Sequence, residues 1–273
     1  MSTATGPSSR IMTAPSVTKL GPEFVGRVLV CGSHGGVYAG YLAALAKVAA
    51  VILNDAGGGK DGAGYASLGY LDRIGLAAAT VSHDSARIGD GADMLARGAI
   101  SQVNAAAKAL GCAAGQRASQ AAALMSAAGP ATGEPEPYEE ARFLFSAEGE
   151  SPQVWGVDSA SLVRPEDAGQ VVLTGSHGAL LGGERQSAIK VDVRACAFND
   201  AGVGVDGIGI TRLPALDERG IAAVTVDCMS ARIGDARSMW ETGIVSHSNQ
   251  TATGLGVSPG QTLKQFADAV RRG

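Results

Sequence analysis

The chain has 273 residues, of which 45% are hydrophobic and 4% aromatic, and its formal net charge is −4 at pH 7. This composition predicts a globular protein of one or two domains, and without a Lys/Arg run neither nucleic acid nor a membrane surface is an expected partner. No apolar stretch approaches the ~20 residues of a membrane-spanning helix and the first residues lack the apolar region of a secretory signal, so we expect a cytoplasmic protein with a small-molecule substrate.

Two segments of the chain are near copies of each other. Residues 54–90 and 199–235 align without a gap at an offset of 145 and share 22 of 37 residues. We therefore predict an α/β fold of two tandem, pseudo-symmetric β-α-β-α-β-α repeats with mainly parallel sheets, related by a pseudo-twofold. We predict a disordered N-terminus at residues 1–13 and the first repeat at residues 14–117. A connecting segment at residues 118–156 then leads to the second repeat at residues 157–273.

Each repeat contains three short apolar runs that predict strands, each ending in a polar or Gly-rich turn. The predicted strands are residues 27–31, 51–54 and 76–81, then 170–174, 195–199 and 221–226. The predicted helices of the first repeat are residues 39–50, 65–74 and 91–110. The last is a long alanine-rich helix. We expect Gly98, Ser101 and Asn104 to share one face of it, where that face packs closely against a neighbour and forms a buried polar hydrogen bond. The connecting segment predicts another alanine-rich helix and extra strands in RFLFS and QVWGV.

The polar residues that the repeats share follow the predicted strands. Because the carboxyl ends of parallel strands meet at one edge of a sheet, we expect a ligand site there. The Gly-rich loop is not a dinucleotide fingerprint, since it follows the second strand and carries an aspartate. Its backbone N–H groups would suit a carboxylate or phosphate, and the alternative is that the glycines only permit a tight connection. The glycines expected to bind substrate are Gly57, Gly59, Gly202 and Gly204.

Candidate catalytic residues occupy equivalent positions in the two repeats. His34 and His177 each come directly after a predicted strand, where an imidazole can act as a general acid, a general base or a metal ligand. The alternative is that each closes its turn through a hydrogen bond to the backbone. Asp55 and Asp200 begin the Gly-rich loops and could be catalytic, ligate a metal or cap the next helix.

Charged residues near the predicted site have structural alternatives as well. Arg87 and Arg232 could each hold a substrate carboxylate with the guanidinium group, or form an ion pair with the aspartate three residues later. Asp61 and Asp206, inside the Gly-rich loops, are more typical of caps or turns. Lys60 occurs in the first Gly-rich loop alone, and we place it among the substrate-binding residues.

The repeats differ at the end of the third predicted strand. The first has Ser82-His83-Asp84, where the second has Asp227-Cys228-Met229. One pocket could therefore draw unlike groups from the two repeats, and His83 is a predicted substrate-binding residue.

Cys228 and His177 form the predicted nucleophilic pair. In a doubly wound unit the third strand commonly lies beside the first, which would bring the thiol near the imidazole. His177-Gly178 and Cys228 resemble the His-Gly turn and neighbouring cysteine of caspase-like cysteine peptidases. Asp227 departs from that pattern, and we name no family from it. The alternative for Cys228 is a buried, inert cysteine.

Together these residues predict a small-molecule hydrolase acting on a carboxylate-bearing, amide-type substrate between the repeats. His177 would activate Cys228 or a water, and the loop amides would bind the developing negative charge. One alternative is a metal-dependent lyase or hydrolase with the histidines and aspartates as ligands. Another is a non-catalytic anion-binding or regulatory protein. The expected cofactor is none or a divalent metal, and the chain could form a homo-oligomer.

Overall fold

A computed structural model describes residues 10–147 and 149–273. The chain divides into two compact units. Unit 1 consists mainly of residues 10–56 and Gly64–Tyr138, and unit 2 mainly of Glu139–Val203 and Gly207–Gly273. Each unit also includes a piece of a Gly-rich loop, Gly204–Asp206 in unit 1 and Gly57–Ala63 in unit 2. Within the described ranges, no helix is long and apolar enough to cross a bilayer.

Unit 1 is built on a sheet with the strand order β1-β2-β3-β4-β5. Its strands are β1 (Ile11–Ala14), β2 (Val28–His34), β3 (Ala50–Asn54), β4 (Ala77–Val81) and β5 (Ile100–Val103). Neighbours from β1 to β4 pair in parallel, and β5 runs antiparallel to β4. The helices are α1 (Val37–Leu45), α2 (Ser67–Asp72), α3 (Gly91–Arg97), α4 (Ala105–Ala109) and α5 (Ala118–Met125).

The sheet of unit 1 has helices on both faces. Leu29 and Val51 pack in one core with residues of α1 and α2, whereas Val30 and Ile52 pack in another with residues of α3, α4 and α5. Both faces of the strands are therefore buried, which explains why β2 and β3 are continuous apolar runs and not alternating ones. The α/β fold class is confirmed.

Unit 2 has a sheet with the order β11-β10-β9-β8-β7-β6. Its strands are β6 (Arg142–Leu144), β7 (Val154–Val157), β8 (Val171–His177), β9 (Ala195–Asn199), β10 (Ala222–Val226) and β11 (Val245–Ser248). Strands β7 to β10 are parallel, and the edge strands β6 and β11 are antiparallel to their neighbours. The helices are α6 (Arg212–Asp217), α7 (Ala236–Thr242), α8 (Gln250–Gly254) and α9 (Leu263–Arg272). Residues of α6 pack on one face, and those of α7, α8 and α9 on the other.

The long helix predicted at residues 91–110 is wrong. Helix α3 ends before Gly98, the edge strand β5 follows, and α4 begins after Asn104. A Cβ atom at Gly98 would lie 2.4 Å from the Met94 carbonyl oxygen and 2.8 Å from Val81 Cγ1, so glycine lets the chain turn tightly against β4. Gly98, Ser101 and Asn104 therefore do not share a helix face.

The buried polar bond predicted for that segment is present in another setting. Asn104 is buried, and its Oδ1 accepts the backbone N–H groups of Ala78 and Ala107, each at 2.9 Å. It thereby caps α4 and joins that helix to β4.

The predicted boundaries also change near both ends of the first repeat. The predicted disordered segment, residues 1–13, lies outside the described residues up to residue 9, but Ile11–Ala14 forms strand β1. The predicted connecting segment contributes α5 to unit 1, while RFLFS and QVWGV contribute β6 and β7 to the sheet of unit 2.

Candidate functional site

The turns that follow β3 and β4 lead to opposite faces of the sheet in unit 1. The turn after β3 leads to α2, and the turn after β4 leads to α3 on the other face. In open α/β sheets, ligands bind in the crevice that such a divergence leaves at the carboxyl ends of the strands. The same divergence occurs in unit 2 at the ends of β9 and β10, which lead to α6 and α7.

Asp55 and His83 meet at the carboxyl ends of β3 and β4 in unit 1. Asp55 directly follows β3 and is 7% exposed. Its Oδ1 accepts the backbone N–H of His83 at 2.9 Å and lies 2.9 Å from His83 Nδ1. Burial tends to raise the pKa of Asp55, but hydrogen bonds from the side chain and backbone of His83, its charge and a bond from Ser101 outweigh burial and lower it.

An ionised Asp55 fixes the tautomer of His83. Because a carboxylate can only accept, Nδ1–H of His83 donates to it, and Nε2 of the neutral ring carries the lone pair. Nε2 lies 3.5 Å from the exposed Asp84 carboxylate, and the side chain of His83 is 22% exposed. The loop residue Val205 donates its N–H to the His83 carbonyl at 2.9 Å, which holds the backbone of the turn. Such an arrangement is chemically able to act as a general base with an orienting carboxylate.

His34 is held in the opposite tautomer. It ends β2 and pairs in register with Asn54 of β3, and its Nδ1 accepts the Gly36 N–H at 3.1 Å. Burial lowers the pKa of His34 to about 4, so the ring is neutral at pH 7 and its proton is on Nε2. His177 in unit 2 accepts the Ala179 N–H at Nδ1 in the same way, at 3.2 Å. Both histidines therefore make the backbone hydrogen bond of the turn-closing alternative, each Nε2–H is a donor, and their catalytic role stays a prediction.

The sheet order separates His177 from Cys228. Strand β9 lies between β8, which ends at His177, and β10, which leads to Cys228. Since neighbouring strands are about 4.8 Å apart, the two strand ends are roughly 10 Å apart. The prediction that the third strand lies beside the first is wrong. Burial, together with the negative charges of Asp200 and Asp227, also raises the pKa of the Cys228 thiol to about 12.

Asp200 and Cys228 are nevertheless neighbours in unit 2. Oδ1 of Asp200 accepts the backbone N–H of Cys228 at 3.0 Å, as Asp55 accepts that of His83. The Asp200, Asp227 and Cys228 ligand atoms all lie within 4.8 Å of one another. In residues 10–147 and 149–273, this is the one group of three such side chains close enough to share a metal ion.

No family model, curated protein or solved structure matches the chain.

The glycines of the first Gly-rich loop permit a close approach within unit 2. A Cβ atom at Gly57 would lie 2.9 Å from both Cys228 Sγ and the Gly202 Cα, and one at Gly59 would lie 3.2 Å from the Cys228 carbonyl oxygen. All four predicted loop glycines also have positive φ, with Gly202 at +73° and Gly204 at +68°. The tight-connection alternative explains these glycines, and their binding of substrate stays a prediction.

Arg87 is paired within unit 1. Oδ2 of Asp206 accepts from Arg87 Nε at 3.0 Å and lies 2.8 Å from Arg87 Nη2, and it also binds Arg97 Nη2 at 2.9 Å. The predicted partner, Asp90, instead caps α3 by accepting the Asp93 N–H at 3.0 Å. The side chain of Asp206 thus holds its loop through ion pairs with two arginines and not through a helix cap or a turn hydrogen bond.

Arg232 and Lys60 are paired within unit 2. Arg232 binds Asp61 Oδ2 at 3.1 Å and Asp235 Oδ2 at 2.9 Å, so the predicted ion pair with the following aspartate is confirmed here. Lys60 Nζ donates to Thr242 Oγ1 at 2.8 Å. These cationic groups hold the loop Gly57–Ala63 in place, and their role as substrate anchors stays a prediction.

Proposed function

We propose that the protein is a small-molecule hydrolase in which His83, oriented by Asp55, activates a water molecule in unit 1. The observation that carries this proposal is the 2.9 Å bond between His83 Nδ1 and a buried, ionised Asp55, at the carboxyl ends of β3 and β4. A buried carboxylate behind an imidazole holds the ring and stabilises the charge that it gains on taking a proton.

The proposed reaction is hydrolysis at an amide-type carbon. Nε2 of His83 accepts a proton from water as the water oxygen attacks the carbonyl carbon, and Asp55 stabilises the resulting imidazolium. The ring then gives that proton to the leaving nitrogen as the carbon–nitrogen bond breaks. Arg87 and Arg232, the residues expected to bind a substrate carboxylate, are each already paired with an aspartate.

His34 supplies a complementary group in this scheme. Its pKa of about 4 keeps the ring neutral, and its Nδ1 is occupied by the Gly36 N–H. Nε2–H is therefore a fixed donor, which can stabilise the negative charge that develops on the carbonyl oxygen. The strand β3 lies between the two strand ends that lead to His34 and His83, so these ends are roughly 10 Å apart.

We also propose that units 1 and 2 are copies of one duplicated unit. The support is the shared sequence together with equivalent pairings, since His34 pairs with Asn54 in unit 1 and His177 pairs with Asn199 in unit 2. Under this proposal the two copies have different chemical roles, because unit 2 has Cys228 at the position equivalent to His83 of unit 1.

The test is turnover of a panel of small amides, lactams and esters by wild type, His83→Ala and His247→Ala. His247, in β11 of unit 2, is the matched control. We expect His83→Ala to lower kcat roughly 10²–10⁴-fold, with His247→Ala close to wild type. Unchanged kcat in His83→Ala would contradict the proposal, and tight binding without turnover by the wild type would favour the non-catalytic alternative.

A further inference from the structure

Unit 2 carries three potential metal ligands at the ends of β9 and β10. We propose that Asp200, Asp227 and Cys228 bind one divalent cation of the Zn²⁺ or Co²⁺ type. Their ligand atoms lie within 4.8 Å of one another, and Asp200 and Cys228 are buried. This proposal goes beyond the hydrolase, since it concerns a different unit and no step at His83 depends on it.

Backbone groups hold both carboxylates in position. Oδ1 of Asp200 accepts the N–H groups of Gly202 and Cys228 at 2.9 and 3.0 Å. Oδ1 of Asp227 accepts the Met229 N–H at 2.8 Å. These backbone donors all end on Oδ1, so each Oδ2 can be presented to a cation while the carboxylate stays anchored. Such outer bonds orient the ligands of metal sites.

The charge of the site supports a cation independently of the spacing. In unit 1 the buried Asp55 has an imidazole partner, His83. The equivalent position of unit 2 has a thiol, and the position of Ser82 has a second carboxylate, Asp227. Compared with unit 1, unit 2 therefore lacks a group that can become cationic at this position and has one more acid.

The nearby cationic side chains of unit 2 are bonded to other groups. Lys60 Nζ donates to Ser230 O and Thr242 Oγ1. Arg232 is paired with Asp61 and Asp235. A bound divalent ion would neutralise the buried Asp200 carboxylate, which is costly to keep charged beside the partly buried Asp227.

The donor set selects the class of metal. A thiolate with two carboxylate oxygens suits borderline ions, because sulfur disfavours Mg²⁺ and Ca²⁺. Bonds of about 2.3 Å to sulfur and about 2.1 Å to oxygen place tetrahedral ligands roughly 3.5 Å apart, so the side chains need to close by about 1 Å. The metal–sulfur bond replaces the S–H bond, and one proton is released to solvent for each ion bound. Three protein ligands leave a fourth position for water or a substrate atom.

The test is titration of the full chain with Co²⁺, followed by absorption and by isothermal calorimetry. We expect one ion per chain, a thiolate-to-cobalt charge-transfer band in the near ultraviolet, and affinity that rises with pH. Cys228→Ser should abolish the band and weaken binding at least tenfold, and Asp227→Asn should weaken binding similarly. Cys112→Ser, in unit 1, and His83→Ala are the matched controls and should bind as wild type.

The proposal is overturned if wild type takes up no stoichiometric Co²⁺, or if Cys228→Ser keeps both band and affinity. Should Cys228→Ser fail to fold by far-ultraviolet circular dichroism, Asp227→Asn decides the matter, and wild-type affinity in that variant overturns it. Because the readout is binding, its failure leaves the hydrolase proposal standing, and loss of turnover in His83→Ala leaves this proposal standing.

Discussion

Replacing Gly57 by alanine should destabilise unit 2 more than replacing Gly207. Both glycines have positive φ, +78° and +64°, so alanine pays the left-handed cost of roughly 1–2 kcal/mol at either position. A Cβ atom at Gly207 meets nothing within 4 Å, but one at Gly57 lies 2.9 Å from Cys228 Sγ and from the Gly202 Cα. The Gly202 backbone cannot swing aside as a flexible side chain can, and such overpacking adds roughly 1–3 kcal/mol.

The assay is urea unfolding followed by tryptophan fluorescence. Trp155 and Trp240 are the two tryptophans of the chain, and both lie in unit 2, so the signal reports the unit that contains Gly57 and Gly207. We expect the free energy of unfolding to fall by roughly 2–5 kcal/mol in Gly57→Ala and by roughly 1–2 kcal/mol in Gly207→Ala, with similar m-values. Equal losses in the two variants would refute the reasoning that Gly57 is required by the close approach to Cys228.

Two further predictions concern His34 and Cys228. The folded-state pKa of His34, about 4, lies below its ordinary 6.5, so the unfolded chain binds this proton more tightly and stability is lost as pH falls from about 6.5 to 4. At about 1.4 kcal/mol per pKa unit the loss is about 3 kcal/mol, and His34→Gln should remove it; an unchanged pH dependence of unfolding in that variant would contradict the burial argument. A Cys228 pKa of about 12 predicts slow alkylation of this thiol by iodoacetamide at pH 7 in metal-free protein. Rapid modification, mapped to Cys228 by mass spectrometry, would restore the thiol mechanism.

The parallel strands could be predicted because the residues that indicate them are neighbours in the sequence. The runs that became β3, β9 and β10 are apolar on both faces and end in Gly-rich or polar turns, so existence and direction follow from the chain itself. The edge strand β5 was missed, since the alanine-rich residues around it favour helix by intrinsic propensity. Pairing of Ile100–Val103 with β4 overrides that propensity, and the Gly98 contact with Val81 that permits it is not visible in the sequence.

The position of the candidate site could be predicted from the sequence, but the pairs of side chains that contact each other there could not. The edge of the sheet and the residues Asp55, Asp200 and His83 follow from the polar turns. Which strands are neighbours depends on tertiary packing, and a strand order taken from common doubly wound folds wrongly placed Cys228 beside His177. One feature of the sequence could have indicated the hydrogen bond between His83 and Asp55. Both residues come just after consecutive predicted strands, and consecutive strands are often adjacent in a sheet.

The central claim is that Asp55 and His83 act as one unit, and a double-mutant cycle on turnover tests it most directly. We expect Asp55→Asn and His83→Ala each to lower kcat roughly 10²–10⁴-fold. The double variant should lose no more than the worse single variant, because removal of the base leaves the carboxylate nothing to orient. Losses that multiply in the double variant, or wild-type kcat in either single variant, would contradict the account.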